Sequence, residues 1–264
     1  MVPAYDIHPP AAPRRGTVLL ASGLGGVAGF WGTQIEPLRQ AGFEVITYDQ
    51  RGTGRSRAEL PQDYRIEDMA ADVLAVLDAA QVSQCHLVGH ALGGLVGLQL
   101  ALQAPDRIAS LVLVNAWAGP NPHSARCFKA RLALLDAVGP RAYVEAQPIF
   151  LYPAAWSAEH ADQVQAEVEH ALQHFPGAAT MKARIAALSA FDVVQRLPDI
   201  AAPALVMATM DDVLVPWTRS RQLADGLPHA TLALMPHGGH ANSVTDSGSF
   251  NAQLIDYLQG LAQP

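Results

Sequence analysis

Short apolar runs recur along the chain at residues 17–21, 43–48, 85–89, 111–114, 204–208 and 231–235. Each is too short for a helix and is apolar at consecutive positions, the pattern of a strand buried on both faces. Between the runs the apolar period lengthens. Ile66, Met69, Val73, Val76 and Leu77 recur at helical spacing, and residues 92–104 and 249–261 also read as helices. Alternation of these two patterns predicts a mostly parallel sheet with helices on both faces, an α/β fold. It breaks between about residues 117 and 197, where segments such as 125–137 and 159–173 are helical and no strand is evident. The division expected is an α/β core over 1–116 and 198–264, with 117–197 inserted as a helical cap above the carboxyl edge of the sheet.

The turn between the run at 85–89 and the helix at 92–104 reads Val88-Gly89-His90-Ala91-Leu92-Gly93-Gly94. A strand–Gly-x-Ser-x-Gly–helix turn raises its central side chain above the sheet as a nucleophile. Both glycines are present, but the central residue is Ala91, and a methyl group cannot form an acyl-enzyme. Taken alone, the segment is also compatible with a plain Gly-rich turn, the lesser of the two readings. Two further features sit at strand ends: Asp211 and Asp212 follow the run at 204–208, and His237 and His240 follow the run at 231–235. Singly, either aspartate could cap a helix and either histidine could belong to a loop. All three features in this order point to a site.

Composition narrows the partners. Of the 264 residues, 50% are hydrophobic and 16% charged, which predicts a large core. A net charge of -7 disfavours the phosphate backbone of nucleic acids, and nothing suggests attraction to a membrane. Two cysteines, Cys85 and Cys127, do not make a disulfide framework, so a reducing compartment, the cytoplasm, is expected. The start of the chain has no apolar leader pattern. The ten histidines and two cysteines do not fall at zinc spacings. No metal or cofactor is expected, and the sequence leaves monomer and homodimer open.

Residues 48–54 (Tyr-Asp-Gln-Arg-Gly-Thr-Gly), 88–93, 145–154, 211–216 and 238–246 together resemble the α/β-hydrolase superfamily and, within it, the hydrolases of bacterial pyrimidine utilisation. Segment 145–154 is the most specific of these, and alanine at the turn is also that group's pattern. The resemblance covers nearly the whole chain. It implies an α/β-hydrolase fold and hydrolysis of 3-aminoacrylate to malonic semialdehyde and ammonia, or of carbamate to ammonia and carbon dioxide.

By the same resemblance His240 is the general base. Asp212 orients it, being four residues before Pro216, where the family places its acid. Water then replaces the missing serine. Backbone N–H groups of Leu92 and Leu24 would form the oxyanion hole; Ser22-Gly23-Leu24 stands where the family usually has His-Gly-x. Both substrates are anions, so Ser22, Arg51 and Arg126 are candidates for substrate binding. Trp31 and Trp117 are candidate pocket walls. His90 is expected to pack or to bond a loop, and His237 to be a loop residue. Two rival readings stay open: a small-molecule-binding homologue that has lost catalysis, and a serine esterase carrying a Ser-to-Ala change at position 91.

Overall fold

The computed structural model describes residues 1–261. The apolar runs become β2 (Gly16–Ala21), β3 (Phe43–Tyr48), β4 (Cys85–His90), β5 (Ile108–Val114), β6 (Ala204–Thr209) and β7 (Ala230–Met235), joined by a short first strand, β1 (Tyr5–His8). They form one seven-stranded sheet in the order β1-β3-β2-β4-β5-β6-β7. Every pairing is parallel except β1 with β3. The order reverses between β2 and β4, the switch point at which open α/β sheets bind ligands beyond their carboxyl ends.

The helices are α1 (Gly32–Gln40), α2 (Ile66–Ala79) and α3 (Leu92–Gln103). Next come α4 (Pro122–Ala137), α5 (Pro140–Glu145), α6 (Gln147–Leu151), α7 (Ala154–Glu159), α8 (Ala161–Gln173) and α9 (Ala178–Ala190). After these follow α10 (Trp217–Gly226), α11 (Asn242–Thr245) and α12 (Ser247–Gly260). Successive strand side chains alternate between the two faces of the sheet. Val18, Leu20, Val45, Val88 and Val112 pack with Leu38 of α1 and with Phe250 and Leu254 of α12. Leu19, Ile46, Leu87 and Leu111 pack on the other face with Val73 and Val76 of α2 and Leu95 of α3. Burial on both faces explains why these strands read as continuous apolar runs.

Helices α4 to α9 all lie between β5 and β6. They meet the core where Leu151 O accepts from Ala241 N at 3.0 Å and where Arg184 Nε donates to Leu24 O at 3.1 Å. The cap therefore rests on the loops at the carboxyl ends of the strands.

Several elements depart from the sequence pattern. The helix anticipated over 159–173 is α8, which starts two residues later, at Ala161; a break at His160, whose ring stacks on Trp156 at 4.3 Å, separates it from the short α7. The terminal helix begins at Ser247 because the Asp246 side chain accepts from Ser249 N. Residues 262–264 of the anticipated core lie outside the described residues. Among those residues, no helix is long and apolar enough to cross a membrane, and Cys85 and Cys127 are both free thiols.

Candidate active site

The turn after β4 keeps its sharp geometry without a serine. Ala91 sits at φ 47°, ψ -111°, a sparsely populated conformation that costs on the order of 1–3 kcal/mol for a residue with a side chain. Its N–H is tied to Val114 O at 2.8 Å. The flanking glycines are required by close approach: a Cβ on Gly93 would run into the Ala21 carbonyl, and one on Gly89 into the backbone of Gly93. The turn ends in α3, whose first N–H groups, Leu92 among them, have no partner within the helix.

The acid and the base come from the loops after β6 and β7. Asp212, and not Asp211, meets the imidazole: His240 Nδ1 donates to Asp212 Oδ2 at 2.7 Å. Asp212 Oδ1 accepts from Leu214 N at 2.7 Å and Val215 N at 2.9 Å, so this carboxylate cannot rotate freely. Asp211 instead holds the histidine loop, accepting from Gly238 N at 3.3 Å and Gly239 N at 2.9 Å. With its Nδ1–H directed at Asp212, His240 carries its lone pair on Nε2, on the opposite side of the ring.

Asn115 was not anticipated. At φ 47° at the end of β5, it donates from Nδ2 to His240 O at 2.7 Å and accepts from Thr209 N at Oδ1 at 3.2 Å. It thus ties the loops after β6 and β7 together. An Asn directly after an apolar strand was the available signal, since Asn tolerates positive φ.

His90 does what a loop-bonding residue does. Its Nε2–H donates to His240 O at 2.8 Å, and its ring packs 4.7 Å from both Phe30 and His240. Burial, reinforced by the neighbouring His240, drives its pKa down to about 3, so it is a neutral imidazole whose Nδ1 has no partner.

Ser22-Gly23-Leu24 follows β2 and is held from two sides. Gln50 Nε2 donates to Ser22 O at 2.7 Å, and the fully buried Arg184 of α9 donates to Leu24 O and to Gln50 Oε1.

Between these loops and the cap lies a cavity of about 130 Å³. Ser22, Leu24, Ala91, Leu92, Trp117 and His240 all face it, with Asp212 behind His240. Gly25, Val27 and Gln147 also border an outer vestibule of about 580 Å³ between cap and core. Trp31 is elsewhere, edge-on to Phe30 and packed near Phe250 in the core.

Neither arginine named from the sequence reaches the cavity. Arg51 is ion-paired to Asp72, a buried carboxylate that needs a cation. Arg126 is exposed, and its Nη1 donates to Pro122 O at 3.3 Å. The arginine that does line the cavity is Arg131, also on α4. At 100° per residue the two lie about 140° apart around the helix. The sequence carried the signal: Ser124, Phe128, Arg131 and Leu135 form one buried stripe, with an arginine in place of an apolar residue.

The model for the alpha/beta hydrolase fold matches residues 16–247. A protein of Variovorax paradoxus (strain S110) named "Putative carbamate hydrolase RutD" is 64% identical over 98% of this chain and 97% of its own length. One of the same name from Stutzerimonas stutzeri (strain A1501) is 52% identical over 96% of each. Among solved structures, the enol-lactonase of Burkholderia xenovorans LB400 superposes with a TM-score of 0.86 at 24% identity, covering 97% of this chain and 96% of that one, a likeness of fold. With the fold, the strained turn and these relatives in agreement, this chain belongs to the α/β-hydrolase family and, within it, to the group of RutD proteins.

Proposed function

We propose that this protein is a cofactor-free hydrolase of pyrimidine breakdown that cleaves C–N bonds with water activated by His240, in the cytoplasm. The observation that carries the proposal is the intact 2.7 Å His240–Asp212 pair, with His240 and the methyl group of Ala91 lining one cavity. A site that had drifted to pure binding would have no reason to keep a buried imidazole–carboxylate pair, which is costly unless its partners are held in place.

The substrate is 3-aminoacrylate, reacting as its imine tautomer. His240 Nε2 takes a proton from water while the oxygen bonds to the imine carbon, and the imidazolium passes that proton to the imine nitrogen to give a carbinolamine. His240, neutral again, then removes the hydroxyl proton and returns it to the amine nitrogen as the C–N bond breaks, so that ammonia leaves. One water is consumed, giving malonic semialdehyde and ammonia. Asp212 holds the base tautomer and stabilises the imidazolium, as in the Ser-His-Asp arrangement. The N–H groups of Leu24 and Leu92 stabilise developing negative charge. Even without a nucleophile, such donors and binding sustain roughly 10³–10⁴-fold acceleration in triad enzymes, enough for a substrate that also decays unaided.

Size supports a small substrate. An apolar cavity of roughly 150 Å³ holds one benzene ring, so about 130 Å³ suits 3-aminoacrylate, with its six non-hydrogen atoms. Carbamate is the second reading, favoured by the names of the relatives. Water would attack its carbon and release ammonia and bicarbonate, the hydrated form of carbon dioxide.

The test is the decay rate of freshly generated 3-aminoacrylate with the protein and with His240→Ala. Acceleration that vanishes in the variant is expected. If neither protein accelerates decay while carbamate is consumed, the second reading replaces the first; if neither substrate turns over, the protein is a binding homologue.

A further inference from the structure

Arg131 presents a charge that the protein itself does not answer. It is 3% exposed, and among the described residues it makes no ion pair. Its side chain has one hydrogen bond, from Nη2 to Tyr143 Oη at 2.9 Å, and Nε is buried without a partner. Three rings surround the guanidinium: Phe128, Tyr143 and Phe150, at 5.8, 5.0 and 5.6 Å from Cζ to ring centroid. These contacts fix its orientation but do not neutralise it. Burial alone is enough to pull its pKa below the ordinary guanidinium value. The cap's other buried arginine, Arg184, also lacks a counter-charge and leaves Nη1 without a partner, but its Nε and Nη2 are committed to backbone carbonyls and to Gln50, and it does not line the cavity.

A buried cation without a counter-charge is destabilising, and one that also opens on a cavity can be answered by an anion that arrives from outside. The guanidinium fork matches a carboxylate with two parallel N–H donors, and Arg131 opens on the same cavity as Ala91 and His240. We propose that Arg131 is the carboxylate receptor of this cavity, and that the ligands it selects are small monocarboxylates, matched in size to a cavity near 130 Å³. This rests on taking the cavity as a substrate site. A carboxylate held at the cap end then places the far end of so short a molecule beside His240. Neutral isosteres are disfavoured because they leave the cation unanswered.

The experiment compares propionate with propionamide, equal in size and differing in charge, in the His240→Ala protein, where binding is read without turnover. Calorimetry and the fluorescence of Trp117, which lines the cavity, report occupancy. Propionate should bind at least tenfold more tightly. Arg131→Met should weaken propionate on the order of 10- to 100-fold, the usual worth of a charge-assisted pair, and bring the two ligands within about twofold of each other. It should do so with an unchanged or raised melting temperature, because replacing a buried uncompensated ion by a hydrophobe of similar length is often stabilising. A merely structural arginine would show the reverse, lost stability with unaltered preference. Should the methionine variant misfold, Arg131→Lys substitutes, with a reduced preference expected because the fork is lost. Arg126→Ala, off the cavity on the same helix, should change neither ligand.

Equal binding of propionate and propionamide by the Arg131-containing protein would overturn the proposal, as would a preference that survives Arg131→Met. Aminoacrylate turnover is scored separately in the protein with His240. Charge preference without turnover leaves the receptor standing and sinks aminoacrylate as the substrate; turnover without charge preference does the opposite.

Discussion

Replacing Asp212 by Asn changes one atom in the site and should reverse the direction of a hydrogen bond. Asp212 Oδ1 is fixed by two backbone donors, Leu214 N and Val215 N. An Asn there must point its carbonyl oxygen at these N–H groups. The opposite orientation leaves two buried donors facing an NH2 group, at about 1–3 kcal/mol each. The sum, roughly 2–6 kcal/mol, disfavours that flip by at least about 30-fold. The NH2 group is thus forced toward His240 Nδ1, which must become the acceptor, and the ring proton moves to Nε2. The lone pair that would take a proton from water is then gone, although no side chain has moved.

Asp212→Asn should therefore lose the general-base contribution, typically about 10²–10⁴-fold, and fall to the level of His240→Ala. Aminoacrylate decay measures the rate, and nitrogen-15 NMR of the imidazole reads the tautomer directly. The reasoning fails if Asp212→Asn keeps its acceleration. It also fails if activity is lost while the proton stays on Nδ1.

Two further outcomes are expected. Ala91→Ser places a hydroxyl on a turn that already has nucleophile geometry, so a small activated ester such as p-nitrophenyl acetate should give a burst of one acyl group per chain, seen by mass spectrometry as an adduct at position 91, while aminoacrylate turnover falls because Oγ occupies the water's place; a folded variant with no burst would show that the base is not aligned with the turn. His90 gives a signature in stability: its folded pKa of about 3 lies below the unfolded value of about 6.5, so the unfolded chain takes up the proton first. Its contribution is complete above about pH 6.5 and is lost progressively as the pH falls toward 3; His90→Gln should flatten the fall of melting temperature across that window, and an unchanged slope would assign the acid sensitivity elsewhere.

The parallel core was legible because burial on both faces writes itself as unbroken apolar runs. Strand β1 was not: it is four residues long, half-exposed and antiparallel at the sheet edge, so no run marks it. Helix α1 has a Pro at position 37 and buries only Gln34 and Leu38, too little for a period to emerge. At the site, Ala91, Asp212 and His240 stood out because strand-end positions and chain order are local properties. The arginines were misassigned for a geometric reason. Arg51 and Arg126 were notable by their neighbours in sequence, whereas the cavity selects by helix face, and only the phase of Arg131 relative to Phe128 and Leu135 places it inside.

The strained turn at Ala91 has a consequence for how this protein would look under mutagenesis. The turn keeps a costly backbone conformation beneath a side chain that does nothing but occupy space, so on the proposed mechanism what the strain maintains is the direction of the Leu92 N–H. A scan of side chains passes over such a part, because Leu92→Ala and Leu24→Ala leave the amides in place. The resulting map would concentrate on His240, Asp212 and Arg131 and report the floor of the site as silent. Replacing the peptide nitrogen itself, as an ester linkage does, is the substitution that makes that half of the catalyst visible.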